Sequence, residues 1–441
     1  MLSRLFLALY ALLWKGARPF LRRHRRLADS FARRLVPPDW GTGAPSPYTY
    51  WIQAASGGEA FLARRLVFAL AAAHEKDDAA PARILCTTCT RQGMEVLEAL
   101  RRDCRADHPG LDLAVDFFPL DEPRLMEKAL ARVRPGAVAL LETELWPGLM
   151  AACTAAGTPF VVLNARMRDK SFKSYRLLRF FWKKHPPARI LAMGDDDAAR
   201  FAALFGEDRV GRMPNMKFEG LAGPAGEPYS AGPAGPAVTD AAPFMLLASV
   251  RREEEALLLP VLGDMLRAAG KFSGASLVIA PRHMERVPFW RDALEKAGMP
   301  AILRSGLGEA PSLPSSRIIL WDRFGELDAL YRVAGAVFVG GSLAPLGGQN
   351  FLEPLAAGAA TCIGPSWGNF AWAGECVSRG FARRVKDAVE LAAVLPSFLA
   401  GDHRRERRDA FAAFIAGEQG GSRQAAELLR QTAAPRLSPG G

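Results

Sequence analysis

Five places in the sequence set proton-accepting or anion-binding side chains directly behind a short apolar run. Ser56-Gly57-Gly58-Glu59 follows Tyr48–Ala55, so a small-residue turn puts a carboxylate at the start of a helix. Glu142-Thr143-Glu144-Leu145-Trp146-Pro147 follows Ala137–Leu141, and its two carboxylates share one face if the strand continues that far. Asn164-Ala165-Arg166 follows Phe160–Leu163, and Pro281-Arg282-His283 follows Ser276–Ala280. The fifth and most informative segment is Gly340-Gly341-Ser342-Leu343-Ala344-Pro345-Leu346-Gly347-Gly348-Gln349-Asn350-Phe351-Leu352-Glu353-Pro354, behind the run Ala334–Val339. It reads as a buried strand, a glycine turn and a helix carrying Asn350 and Glu353. Glycines at a strand end let backbone approach a phosphate, the helix start offers N–H groups, and Glu353 suits sugar hydroxyls. A carboxylate such as Glu59 can take the proton of an attacking hydroxyl, and a guanidinium such as Arg282 can fork a phosphate.

Each group also has an ordinary reading. Glu59 can serve as a helix cap, and His283 as a hydrogen-bonded loop residue. Trp51, Trp146 and Phe180-Phe181-Trp182 suit a core or a membrane contact better than a sugar platform. The basic run from Arg166 to Lys184 suits a solvated helix face or, beside a membrane, a receiver of lipid phosphates.

The elements that must position these groups alternate between strand and helix. Strands are expected at Tyr48–Ala54, Arg83–Thr87, Leu113–Phe118, Ala137–Leu141, Phe160–Leu163 and Arg189–Met193, with helices such as Glu59–His74 and Pro123–Val133 between them. A Gly/Ala/Pro-rich stretch, Gly220–Pro243, reads as a linker. The alternation resumes at Phe244–Ser249, Ser276–Ala280, Ile302–Leu303, Ile318–Trp321, Ala336–Val339 and Ala360–Ile363. This is an α/β pattern of two doubly wound domains, 45–219 and 244–430, with ligands expected at strand carboxyl ends in a cleft between them. Residues 431–441 read as a disordered tail.

A chain of 441 residues is long enough for two ordinary cores. Residues 1–40 hold nine basic side chains against Asp29 and Asp39, so seven of the eleven net positive charges lie there. Beside them the ten-residue apolar run Leu5–Trp14 falls short of the roughly twenty needed to cross a bilayer. The expectation is a helix embedded in or lying on an anionic membrane, with the body on the cytoplasmic side. A helix docked on the protein is the alternative, and the apolar run argues against nucleic acid as the partner. Cys86 and Cys89 have CxxC spacing without a second pair, so packing at a strand end outweighs a redox role.

Taken in order, seven segments are similar to those of the Kdo transferases, which move 3-deoxy-D-manno-oct-2-ulosonic acid (Kdo) from CMP-Kdo to a lipid A precursor in lipopolysaccharide assembly. They are Trp51–Glu59, Glu142–Pro147, Leu163–Arg166, Asn215-Met216-Lys217-Phe218, Pro281–Arg286, Gly325-Glu326-Leu327 and the Gly340–Pro354 segment. The resemblance implies a GT-B fold, inverting transfer without a metal or other cofactor, and attachment to the cell inner membrane. It implies Glu59 as general base, with Glu144 and Lys217 as supports of the transition state. It implies that Pro281, Arg282, Gly325, Glu326, Leu327, Ser342, Asn350, Phe351, Leu352 and Glu353 hold CMP. Gln53 stands where the family usually has His, Gly57 where it has a larger residue, and Gln349 where it has His. Val250–Glu255 replaces a Thr-His-x-Gly-Glu-Glu segment, and Arg212-Met213-Pro214 a Thr-Gly. The alternatives are a GT-B enzyme using a UDP-sugar, as transferase or epimerase, and a non-catalytic module binding lipid A or nucleotide.

Overall fold

The computed structural model describes residues 2–24, 27, 30–37, 40, 47–76, 82–143, 145–219, 221, 243–272, 274–308, 313–368, 370, 372–401 and 403–437. The chain forms two compact units, Met1–Glu219 with Glu418–Gly441, and Gly220–Gly417. Each is built on a seven-stranded, wholly parallel sheet, as the alternation of apolar runs and helices requires.

In the first unit the strands are β1 (Tyr50–Ala54), β2 (Arg83–Thr88), β3 (Asp112–Phe117), β4 (Ala137–Leu141), β5 (Phe160–Ala165), β6 (Arg189–Ala192) and β7 (Val210–Arg212), in the order β3-β2-β1-β4-β5-β6-β7. Strands β1 and β4 are buried along their whole length; β4 reads as an unbroken apolar run, and β1 as one interrupted only by Gln53. Cys86 faces the core on one side of this sheet, whereas Cys89 packs against the core on the other. Burial also pushes the Cys86 thiol far up, which disfavours the thiolate that redox work at that residue needs.

In the second unit the strands are β8 (Phe244–Val250), β9 (Ser276–Pro281), β10 (Ala301–Leu303), β11 (Ile318–Leu320), β12 (Ala336–Val339), β13 (Ala360–Ile363) and β14 (Ala382–Arg384), in the order β10-β11-β9-β8-β12-β13-β14. The β7 and β14 edges were not expected. Each is three residues long, and apart from buried Ala382 their side chains are exposed or half-exposed, so neither carries an apolar run.

Two expectations for the carboxyl terminus are corrected. The second unit ends at Gly417 rather than 430. Residues 431–437 belong to helix Gly421–Leu437, not to a disordered tail. That helix buries Ala425, Ala426, Leu429 and Ala433 in the first unit's core, against the helix Gly57–Lys76. Small alanines spaced one turn apart make a shallow stripe that suits close helix packing. The expected linker lies outside the described residues apart from Leu221 and Pro243, as do 438–441.

The amino-terminal helix spans Leu2–Arg23 and packs on the first unit. Phe6 meets Phe180 and Phe181, Tyr10 Oη donates to Asp121 at 2.9 Å, Arg18 pairs with Glu122 at 3.1 Å, and Ser3 Oγ bonds the His185 ring at 3.0 Å. The opposite face presents Leu2, Leu5, Leu9, Leu12, Leu13 and Phe20, all more than half exposed. Among the described residues no helix is long and apolar enough to cross a membrane.

Candidate active site

Glu59 sits in the first turn of helix Gly57–Lys76, just past the end of β1, and is almost buried. Its Oε2 accepts the Ala55 N–H at 2.6 Å and its Oε1 the Ser56 hydroxyl at 3.1 Å, while Ser56 Oγ accepts the Glu59 N–H at 3.3 Å. The arrangement resembles a capping box, with the carboxylate reaching the N–H of Ala55 instead of that of Ser56, so the ordinary reading of Glu59 as a cap holds. The same bonds fix the carboxylate in one orientation at the sheet's carboxyl edge, as a base requires. A Cβ on Gly57 would press on the Gln92 side chain at 2.9 Å, so glycine leaves the space that Gln92 fills. Gln53 Oε1 accepts the Thr87 hydroxyl at 2.6 Å and Trp51 Nε1 donates to that hydroxyl at 2.8 Å, a buried network beneath the turn. Trp51, Phe181 and Trp182 are core residues.

Strand β4 stops at Leu141, so Glu142 does not continue it; the residue is left-handed at φ 59°. Glu144 lies outside the described residues. Asn164 near the end of the neighbouring β5 is left-handed too, at φ 52°. Such backbone costs an L-residue roughly 1–2 kcal/mol, and two instances on adjacent strand ends mark a place where position outweighs comfort. Glu142 pairs with the Lys217 ammonium. Asn164, wholly buried, accepts the Met216 N–H on Oδ1 at 2.9 Å. The charge of Glu142 also acts on half-buried Arg166, whose pKa burial lowers and Glu142 raises. One carboxylate therefore stands among two cations, Lys217 and Arg166.

In the second unit, Gly340 follows β12 as expected, but the N–H groups behind it are occupied. Glu254, fully buried on helix Arg252–Leu258, accepts from Gly341 at 2.6 Å, Ser342 at 3.0 Å and Leu343 at 2.9 Å, and from Arg251 at 3.1 Å. A protein carboxylate fills the anion-binding turn. Gly340 is obligatory there, because a Cβ would come within 2.6 Å of the Ser249 carbonyl. Ser342 is buried, donating to the Val339 carbonyl at 2.7 Å and accepting from Gly364 at 2.8 Å. The helix behind the turn begins at Leu352 with Phe351 as its cap residue, so Asn350 lies before the helix, its Oδ1 accepting the Leu352 N–H at 3.2 Å. Phe351 and Leu352 are buried, Phe351 against Trp372.

The remaining groups gather at the carboxyl ends of β9, β11 and β12. Arg282 follows β9, half exposed, and forms no ion pair among the described residues. Tyr331 is buried, and the charges of Glu353, Asp328 and Arg282 all act on it; burial first, then Glu353, push its phenol well up. The charge of Arg282 opposes that rise. Gly325 is left-handed at φ 89° with open space around it, while the Glu326 carboxylate turns to the buried Arg304 at 3.1 Å and leaves only its backbone to a ligand. Pro281 is buried at the end of β9 and Leu327 opens the next helix. His283 is exposed, 4.0 Å from Glu285. Glu254 and Tyr331 were not singled out from sequence; the glycine-turn partners of Glu254 lie 87 to 89 residues away, beyond any local pattern.

Residues 25–220 match the family model described as 3-Deoxy-D-manno-octulosonic-acid transferase (kdotransferase). The chain is 30% identical to the 3-deoxy-D-manno-octulosonic acid transferase of Bordetella pertussis over 434 residues, 95% of this chain and 98% of the relative. The chain belongs to the Kdo transferase family. The transferase of Haemophilus influenzae is likewise 30% identical, over 71% of this chain and 69% of its own length. Among solved structures, a putative UDP-N-acetylglucosamine 2-epimerase from Listeria monocytogenes aligns over 88% of this chain and 98% of its own, with a TM-score of 0.57 and 13% identity. At that identity the likeness shows the two-unit fold alone. Family membership makes this chain a glycosyltransferase, as the resemblance implied.

Proposed function

We propose that the chain transfers Kdo from CMP-Kdo to a lipid A precursor, lipid IVA, at the cytoplasmic face of the inner membrane. The observation that carries the chemistry is the Glu59 carboxylate, oriented by Ala55 and Ser56 on the same sheet edge that presents Lys217 through Glu142. Glu59 takes the proton of the acceptor hydroxyl as its oxygen bonds to the anomeric carbon. The bond from that carbon to the CMP phosphate oxygen breaks, and its electron pair leaves with the phosphate. A single base with attack opposite the leaving group inverts the anomeric centre. Arg282 takes the phosphate, Glu353 and Asn350 meet the ribose side, and the open Gly325 backbone admits the nucleotide. Lys217 offsets the charge of the departing phosphate or of the Kdo carboxylate. No resident cofactor or metal enters any step. In this reading the first unit binds the acceptor and the second the donor.

The membrane side of the proposal is supported by the apolar face of helix Leu2–Arg23 and by its neighbour in the first unit. Arg168, Lys170, Lys173, Arg176, Arg179, Lys183 and Lys184 are all exposed, and the helix touches this stretch through Phe180 and Phe181. Apolar and cationic groups side by side suit an interface rich in anionic lipid. Incubation with CMP-Kdo and lipid IVA, read by mass spectrometry, should show the mass of added Kdo; UDP-sugars in place of CMP-Kdo should give no product. The absence of transfer with CMP-Kdo would refute the proposal.

A further inference from the structure

We infer that Glu142, together with Asn164, is a positioning residue for Lys217, and that the pair exists to aim one ammonium group. The inference rests on the role given to Lys217 above. Lysine has a flexible four-carbon stem, so its ammonium acts at a fixed point only if something holds it. The main chain around it is held closely. Asn215 Oδ1 accepts the Lys217 N–H at 3.0 Å, Asn164 Oδ1 accepts the Met216 N–H at 2.9 Å, and Arg65 donates to the Met216 carbonyl. From the carboxyl-terminal segment, Glu418 accepts the Asn215 N–H at 3.3 Å and Gln419 donates to the Phe218 carbonyl at 3.2 Å. What those bonds leave undetermined is the side chain, and Glu142 determines it by the ion pair.

The backbone supports this reading over a chance surface pair. Glu142 directly follows β4 and Asn164 is the last residue but one of the adjacent β5, both in the left-handed region, and both spend their side chains on the same three-residue turn, Met216–Phe218. Glycine would adopt that conformation without strain, so the carboxylate and the carboxamide are what these positions supply. Glu142 is mostly buried, where a charge pair is far less screened than at the surface.

The test is a double-mutant cycle on the full chain, with transfer followed under saturating and limiting CMP-Kdo. Glu142→Gln should lower kcat roughly ten- to a hundredfold, the scale of a misplaced catalytic group. KM for CMP-Kdo should stay within about twofold. Lys217→Met should lose at least as much, and adding Glu142→Gln to it should cost no more than about twofold further. Glu142→Asp, which keeps the charge on a shorter arm, should recover part of kcat. If Glu142→Gln does not fold, Asn164→Gly, which suits the backbone and deletes the carboxamide, carries the same cycle. An equal loss in both backgrounds, or unchanged kcat, overturns the inference while leaving the role of Lys217 standing. Transfer at the wild-type rate by Lys217→Met overturns that role itself and the inference with it.

Discussion

Glu254→Gln tests whether the glycine turn of the second unit is closed by protein rather than left open for phosphate. In the native chain one carboxylate oxygen accepts from Ser342 and Leu343 and the other from Gly341 and Arg251. Glutamine can satisfy one pair with its carbonyl, but its amide then points N–H at N–H toward the other. Two N–H groups with little access to water lose their acceptor at about 1–3 kcal/mol each, so the variant loses about 4 kcal/mol. For a unit of roughly two hundred residues, each kcal/mol moves Tm by about 2–4 °C, which predicts a fall of about 8–16 °C. Differential scanning calorimetry of the full chain, with and without inorganic phosphate, reads this directly. A second-unit transition within about 2 °C of wild type would refute the reasoning, as would full restoration by phosphate, which would make the turn an anion site after all.

Further outcomes follow from the first unit. Glu59→Ala should abolish transfer, by at least about a hundredfold, while CMP binding by calorimetry is kept, because a general base contributes on that scale; undiminished transfer would remove Glu59 from the mechanism. Burial raises the Asp121 carboxyl from 3.8 to about 7, against the opposing bonds from Gly148, Leu149 and Tyr10. A folded pKa above the unfolded value means stability fully present below about pH 4 and lost as pH rises through about 7, with a ceiling of about 4 kcal/mol. Asp121→Asn should erase that dependence, so the difference in Tm between variant and wild type should change across the window; a constant difference would contradict it. Replacing Leu5, Leu9, Leu12 and Leu13 together by Ser should release the chain from anionic vesicles in a flotation assay, since the face they form is exposed rather than packed. Leu429→Ala, at a fully buried position, should cost the first unit about 2–5 kcal/mol, read as a lower Tm.

Much of this architecture is legible in local pattern. Ala137–Leu141, Ala336–Val339 and Ala360–Ile363 are strands with the very bounds their apolar runs suggest, because both faces of these strands are buried. Pro123–Val133 is a helix end to end, with Pro at its start. The carboxyl-terminal helix escaped because a stripe of alanines has little hydrophobic contrast. The site escaped where its geometry depends on distant partners. Nothing near Gly341 announces that a carboxylate from residue 254 will fill the turn, and nothing near Glu142 announces a left-handed backbone that turns it toward Lys217. Asn350 and Glu353 were placed on one helix because their spacing is one turn, yet the cap falls between them.

The chain leaves the first unit after Glu219 and re-enters it at Glu418, where Ser422 bonds to Glu219 through both its N–H and its hydroxyl. During synthesis this imposes an order. The sheet β1–β7 is complete when residue 212 emerges, but the face of helix Gly57–Lys76 that takes Ala425, Ala426 and Leu429 stays uncovered until the whole second unit has been made. At about 5–20 residues per second, that wait is about 10–40 s. Throughout it that face of the nascent first unit stays open, and the turn bearing Lys217 lacks its Glu418 and Gln419 ties. The turn bearing Lys217 is therefore finished last, by residues translated after the second unit is already complete.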